Sequence, residues 1–215
     1  SVIVIDRNST IRSISSDRDE TYWELTPTQS GDLVRGALVL EESIVVATTS
    51  GHLLRIDTRD GTIISQTQIP IGAGILRDAP IEAAGKIFIS TSQGLIHALD
   101  QKSLEVIWTR QVELIRRKPM QATEELLIAT GPTTLVGINL TDGSTAWQQD
   151  LSQRPLVCTS KSSALFIATA SEIIRYSTRT GKLIWRLPID QSTPHSLATT
   201  SNLLLHLDTD GSLRA

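Results

Sequence analysis

Five positions about forty residues apart constrain this chain more than any other feature of it. Trp23, Ser65, Trp108, Trp147 and Trp185 are separated by 42, 43, 39 and 38 residues. Each closes the same pattern: a short apolar run, a Thr- or Asp-rich turn ending in Gly, and a second apolar run. The pattern reads LLRIDTRDGTIIS over Leu53 to Ser65, LVGINLTDGSTAW over Leu135 to Trp147, and IIRYSTRTGKLIW over Ile173 to Trp185. The copy ending at Trp108 has Leu104 in the glycine slot, and the copy ending at Trp23 has Asp19 there. A period near 40 residues that holds four short strands is the signature of a β-propeller blade.

Two further apolar runs precede each hairpin, as in Ile44 to Ala47, Lys86 to Ser90, Leu126 to Ala129 and Leu165 to Ala168. They are β-branched and rich in Thr and Ser, with Gly or Asp-Gly between runs, and no window keeps a helical period. The four strands of a repeat are called a to d, with d carrying the marker. Leu203 to Asp208 lies at the same distance after Trp185 as Leu165 to Ala170 after Trp147, so both are strand b. Val2 to Asp6 is likewise a strand b. The expectation is an all-β propeller of four-stranded antiparallel blades within one domain, 1–215. The blades are 1–31, 32–70, 71–113, 114–152 and 153–190, with the start of another at 191–215. Such a chain is a portion of a larger seven- or eight-bladed propeller. Further chain or another subunit completes its open strand edges, which otherwise invite aggregation.

The repeat body resembles the pyrroloquinoline-quinone (PQQ) type propeller repeat: an apolar strand, Ala-x-Asp, a Thr-Gly turn, three residues and Trp. Here it runs from His97-Ala98-Leu99-Asp100 to Trp108, from Gly137 through Gly143 to Trp147, and from Thr178 through Gly181 to Trp185. The resemblance implies that Trp23, Trp108, Trp147 and Trp185 dock neighbouring blades, and that the contact at Ser65 is looser. One branch of that family is enzymatic and holds PQQ with a vicinal disulfide and calcium. Cys158 is the one cysteine here, so that disulfide cannot form. The other branch is non-catalytic and includes BamB, the propeller lipoprotein of bacterial outer-membrane barrel assembly. Asp32-Leu33-Val34-Arg35-Gly36 is similar to a stretch of that lipoprotein. The resemblance therefore implies a scaffold for protein–protein interaction with no cofactor, in an extracytoplasmic (periplasmic or secreted) setting. The alternatives are a fragment of a quinoprotein dehydrogenase and a ligand-sensing propeller of a signalling protein.

The remaining chemistry is sparse. With 20 basic and 23 acidic residues the formal charge is -3, which argues against nucleic acid as a partner. No apolar run is long enough to cross a membrane as a helix. The four histidines fall in different strands with no metal-ligand spacing, and Cys158 has no assignable base, so neither a metal site nor a catalytic residue is expected. One pattern stands out: a basic residue recurs at or just before strand a, as Arg35, Arg77, Arg116 with Arg117, and Arg154, with His195 at the same phase. Equal phase in a propeller places these residues at equal height near one mouth of the channel. They are expected to form an electropositive rim for a protein partner with acidic loops.

Overall fold

Alternating apolar runs bounded by tight turns give antiparallel hairpins, and that is what the computed structural model shows. It describes residues 1–27, 32–72, 74–76, 78–114, 120–189, 194–200 and 203–214. All regular elements among them are strands, joined in sequence order into six antiparallel sheets. The chain divides into two compact units, Ser1–Gln111 and Val112–Ala215.

The first unit holds three sheets. Its first sheet has three strands, β1 (Val2–Ile5), β2 (Ile11–Ile14) and β3 (Thr21–Leu25). The second sheet is β4 (Val34–Val39), β5 (Ser43–Thr48), β6 (His52–Asp57) and β7 (Ile63–Gln68). The third is β8 (Ile81–Ala83), β9 (Lys86–Ser90), β10 (Leu95–Asp100) and β11 (Val106–Gln111). Two layers of core lie between sheets. Ile11 and Trp23 pack with Ile44, Val46, Leu54 and Ile56, and Val45, Ala47 and Leu53 pack with Ile87, Ile89, Leu99 and Leu104. Strand β5 is buried at every residue, because its alternate side chains enter these two different layers.

The second unit repeats the plan. Its sheets are β12 (Gln121–Ala122) to β15 (Thr145–Asp150) by way of β13 (Leu126–Thr130) and β14 (Thr134–Asn139), then β16 (Val157–Lys161), β17 (Ala164–Ala168), β18 (Glu172–Ser177) and β19 (Leu183–Pro188). The sixth sheet is β20 (Pro194–Thr199), β21 (Leu204–Asp208) and β22 (Leu213–Arg214). The sequence places the end of the chain just after strand b. The structure carries it slightly further, because Leu213 and Arg214 already pair with Leu207 and His206 as the start of strand c.

Two local features explain the repeat pattern. Each complete c–d hairpin carries a β-bulge one residue before its marker. Ile56 pairs Ile63 while Arg55 pairs Ser65, which leaves Ile64 as the extra residue. Tyr22, Ile107, Ala146 and Ile184 occupy the same place in the other hairpins. The turn before the bulge uses a left-handed residue whose amide donates to the carbonyl four residues back. Gly61, Gly143 and Gly181 fill this slot with φ of 77°, 74° and 66°. Leu104 adopts φ 61° in the same slot while fully buried. Its backbone is strained by roughly 1–2 kcal/mol, and its side chain offsets that by filling the layer between sheets two and three. Asp19 does not take a positive φ, so the first c–d turn differs from the others.

Candidate functional site

The positions directly opposite the markers show how the sheets face one another. Ser13 pairs Trp23, Ala98 pairs Trp108 and Gly137 pairs Trp147, so a small residue on strand c lies beneath each of these indoles. A Cβ built on Gly137 would collide with the Trp147 ring. The Trp147 indole reaches the next sheet, where its Nε1 donates to the Thr178 carbonyl at 2.9 Å. A Cβ on Gly181 would come within 2.5 Å of that ring. Trp23 does the same in the first unit, donating to the Thr58 carbonyl at 3.0 Å and lying 2.7 Å from a Cβ built on Gly61. Trp108 and Trp185 are half-buried, at 5.8 Å from Phe88 and 6.0 Å from Phe166 between ring centroids.

At Ser65 the sizes are exchanged: the small residue stands on strand d and the large one, Arg55, on strand c. Ser65 Oγ donates to the Lys102 carbonyl, and Arg55 Nη1 donates to the carbonyls of Gln101 and Lys102. Polar side chains thus make the cross-sheet link that an indole makes elsewhere.

Of the basic residues at strand a, Arg35 and Arg154 fall among the described residues. Arg77, Arg116 and Arg117 lie outside them. Arg35 is the bulged residue of β4, since Val34 pairs Thr48 and Gly36 pairs Ala47. A bulge re-aims a side chain, and Arg35 is exposed. His195 sits on the matching bulge of β20 and is also exposed. Arg154 is exposed in the loop before β16.

The segment leading to Arg35 is held by a cluster that the sequence pattern does not reveal, because its members come from a loop and a distant turn. Asp32 accepts hydrogen bonds from Thr49 Oγ1 at 2.8 Å, from the Ser50 amide at 2.9 Å and from Ser50 Oγ at 2.5 Å. His52 Nδ1 lies 3.1 Å from the same carboxylate and 2.9 Å from Ser50 Oγ. Burial pushes the Asp32 carboxyl up, but the hydroxyl and amide donors of Ser50 and Thr49 outweigh it and hold it well below the ordinary carboxylate range. This grouping of Ser, His and Asp is not a nucleophile relay, which needs the two imidazole nitrogens to face different partners. Here Ser50 and Asp32 both meet Nδ1. The cluster is a latch that ties the strand-a entry to the β5–β6 turn. The reciprocal bonds Leu33 N to Thr49 Oγ1 and Thr49 N to Leu33 O complete it.

The other candidates fall apart chemically. Cys158 is half-buried rather than fully enclosed, with Gln121 Nε2 at 3.6 Å and Thr130 Oγ1 at 3.9 Å from Sγ. No group of three or more His, Cys, Asp or Glu side chains that could hold a metal ion exists among the described residues.

A family model described as outer membrane protein assembly factor BamB matches residues 7–157 and 134–215, nearly the whole chain. The protein belongs to this PQQ-like repeat family. BamB from Yersinia pestis is 22% identical over 169 residues, which cover 71% of this chain and 42% of the relative. The chain thus spans less than half the length of that curated relative. Among solved structures, BamB from Moraxella catarrhalis superposes with a TM-score of 0.73 at 17% identity, over 98% of this chain and 68% of the other. The computationally designed Ika8 protein gives 0.72 at 14% identity, covering 98% and 68%. A chain of a mitotic checkpoint complex gives 0.72 at 12%, covering 96% and 66%. At these identities the structural likenesses establish the fold, an all-β propeller of four-stranded antiparallel blades.

Proposed function

We propose that this chain is part of a non-enzymatic propeller scaffold that binds protein partners during outer-membrane protein assembly, outside the cytoplasm. The observation that carries the reading is the match to the BamB family model over residues 7–215. A scaffold needs rigid blades and an accessible binding surface, and needs no cofactor. The single cysteine suits this, since a vicinal disulfide cannot form. Blade docking is assigned to Trp23, Trp108, Trp147 and Trp185. The partner-binding surface is assigned to the strand-a entries, with Arg35, Arg77, Arg116, Arg117 and Arg154 receiving acidic loops. Arginine suits that task because its planar fork pairs bidentately with carboxylates. Arg35 and Arg154 make no ion pair with any described residue, so their charge is available to a partner.

The test is the association rate of the full-length protein with the outer-membrane assembly complex, measured at two salt concentrations. Reversing Arg35 and Arg154 to Glu is expected to slow association roughly ten-fold or more at low salt, and less at high salt where exposed charges are screened. A folded double variant that associates at the normal rate at both concentrations overturns the assignment.

A further inference from the structure

Four of the turns between strands b and c share one construction. The amide of one turn residue donates to the carbonyl three residues back: Gly51 to Thr48, Gly94 to Thr91, Gly211 to Asp208 and Ser9 to Asp6. The donor residue has a positive φ each time, 92°, 84° and 87° at the glycines and 66° at Ser9. Glycine takes this conformation freely, and a side chain makes it costly. Ser9 is also only 2% exposed, so the strained residue is not a loop tip turned to water. Backbone strain that persists in a packed structure points to a task for the residue that carries it.

The Ser9 hydroxyl shows what glycine could not do. Ser9 Oγ accepts the Val34 amide at 2.8 Å, across from the first sheet to the strand-a entry of the second. Val34 is the residue before the bulge at Arg35. Two other contacts hold the same stretch of backbone. Before it, Leu33 pairs with Thr49, whose hydroxyl donates to the Asp32 carboxylate. After it, Gly36 lies so close to the segment preceding β8 that a Cβ built there would come within 2.5 Å of Ala79 Cα. Residues 33, 34 and 36 are thus each held by a different group, and Arg35 projects to solvent between them with no ion pair among the described residues. The third sheet provides a contrast. Ile75 and Ser92 repeat the Leu33–Thr49 pairing there, but the slot that corresponds to Ser9 is Gly51, which has no hydroxyl to offer Leu76.

We propose that Ser9 is a positioning residue for Arg35: its hydroxyl holds the Val34 amide and so fixes the bulge from which the guanidinium is presented to an acidic partner. The proposal rests on the partner-binding reading of the strand-a entries and adds to it a residue of the preceding sheet. A backbone that is already fixed loses less freedom when the arginine engages a carboxylate, and such preorganisation shows mainly as slower dissociation.

The test compares the native full-length protein with Ser9→Gly, Ser9→Ala and Arg35→Ala. Glycine fills this slot in three other turns, so Ser9→Gly suits the fold, whereas Ser9→Ala keeps the strain and loses only the hydroxyl. Amide exchange followed by ¹⁵N NMR reads the bulge without a partner, and dissociation from the outer-membrane assembly complex reads its use. Both Ser9 variants are expected to speed exchange at the Val34 amide roughly ten-fold or more and to leave Ile89 in β9 unchanged. Both are expected to raise the dissociation rate roughly five-fold or more, with the salt dependence of association unaltered because no charge has changed. Arg35→Ala is expected to dissociate faster as well, and Ser9→Gly added to it is expected to have no further effect. Native exchange at Val34, native dissociation of the Ser9 variants beside a fast Arg35→Ala, or an undiminished Ser9→Gly effect in the Arg35→Ala background overturns the positioning role. Native dissociation of Arg35→Ala overturns the partner-binding reading itself, and the positioning role falls with it.

Discussion

Replacing Gly61 by Ala separates backbone strain from inter-sheet packing, because Gly85 provides a matched control in the same compact unit. Both glycines have positive φ, 77° and 69°. A Cβ on Gly85 would meet nothing closer than Gln101 Oε1 at 4.0 Å, whereas one on Gly61 would meet the Trp23 ring at 2.7 Å. Gly85→Ala carries only the left-handed backbone cost of roughly 1–2 kcal/mol. Gly61→Ala carries that cost plus overpacking of about 1–3 kcal/mol, for a total of roughly 2–5 kcal/mol. The assay is urea unfolding, with an unchanged m-value checking that the same surface is exposed. A double-mutant cycle with Trp23→Leu isolates the ring. In that background Gly61→Ala is expected to cost no more than Gly85→Ala, giving a coupling of about 1–3 kcal/mol. Equal costs for the two glycines in the native background, or no coupling to Trp23, would refute the claim that this indole fills the next turn.

Three further outcomes follow from particular residues. His97 is buried, with Nδ1 on Thr109 Oγ1 and no partner for Nε2 among the described residues, and desolvation lowers its pKa. A depressed histidine contributes stability that is present above its unfolded value of about 6.5 and is lost as pH falls below it, so urea midpoints of the native chain and of His97→Gln are expected to diverge as pH falls below about 6.5. Leu104→Gly relieves roughly 1–2 kcal/mol of strain but loses a buried leucine worth about 2–5 kcal/mol, so the unfolding midpoint is expected to fall rather than rise. Asp32→Asn puts an amide where the carboxylate accepts from Ser50 and Thr49, and faster exchange at the Ser50 and Thr49 amides without global unfolding is the expected reading. Because the Asp32 carboxyl is held low, its contribution is present above the ordinary carboxylate range and lost as pH falls through it, a dependence the Asn variant is expected to lack.

The blades were legible because each strand needs a particular residue type at a particular phase. A marker at strand d, a left-handed slot four residues into the turn and a buried strand b recur whether the slot holds Gly61 or Leu104. The extra residue in each bulge was not legible, because Tyr22, Ile64, Ile107, Ala146 and Ile184 each read equally well as an ordinary strand position before the marker. The exchange of sizes at Arg55 and Ser65 was hidden for a related reason. Only the cross-strand register shows that a large residue on c replaces one on d. The Asp32–Ser50–His52 latch joins a loop to a turn 18 to 20 residues away, so no local pattern betrays it. Of the basic strand-a residues, spacing gave the phase of Arg35, but its exposure follows from the bulge at Val34–Gly36.

Site-specific photocrosslinking from the strand-a entry tests the scaffold reading most directly. A photoreactive residue replaces Arg35 or Arg154 in the full-length protein, with Ile64 on the fourth strand of the second sheet as the comparison site. Adducts formed in cells are identified by mass spectrometry. The account predicts that both arginine positions capture an outer-membrane assembly component through an acidic segment, and that Ile64 does not. Capture of that component from Ile64 alone, with none from Arg35 or Arg154, would contradict it.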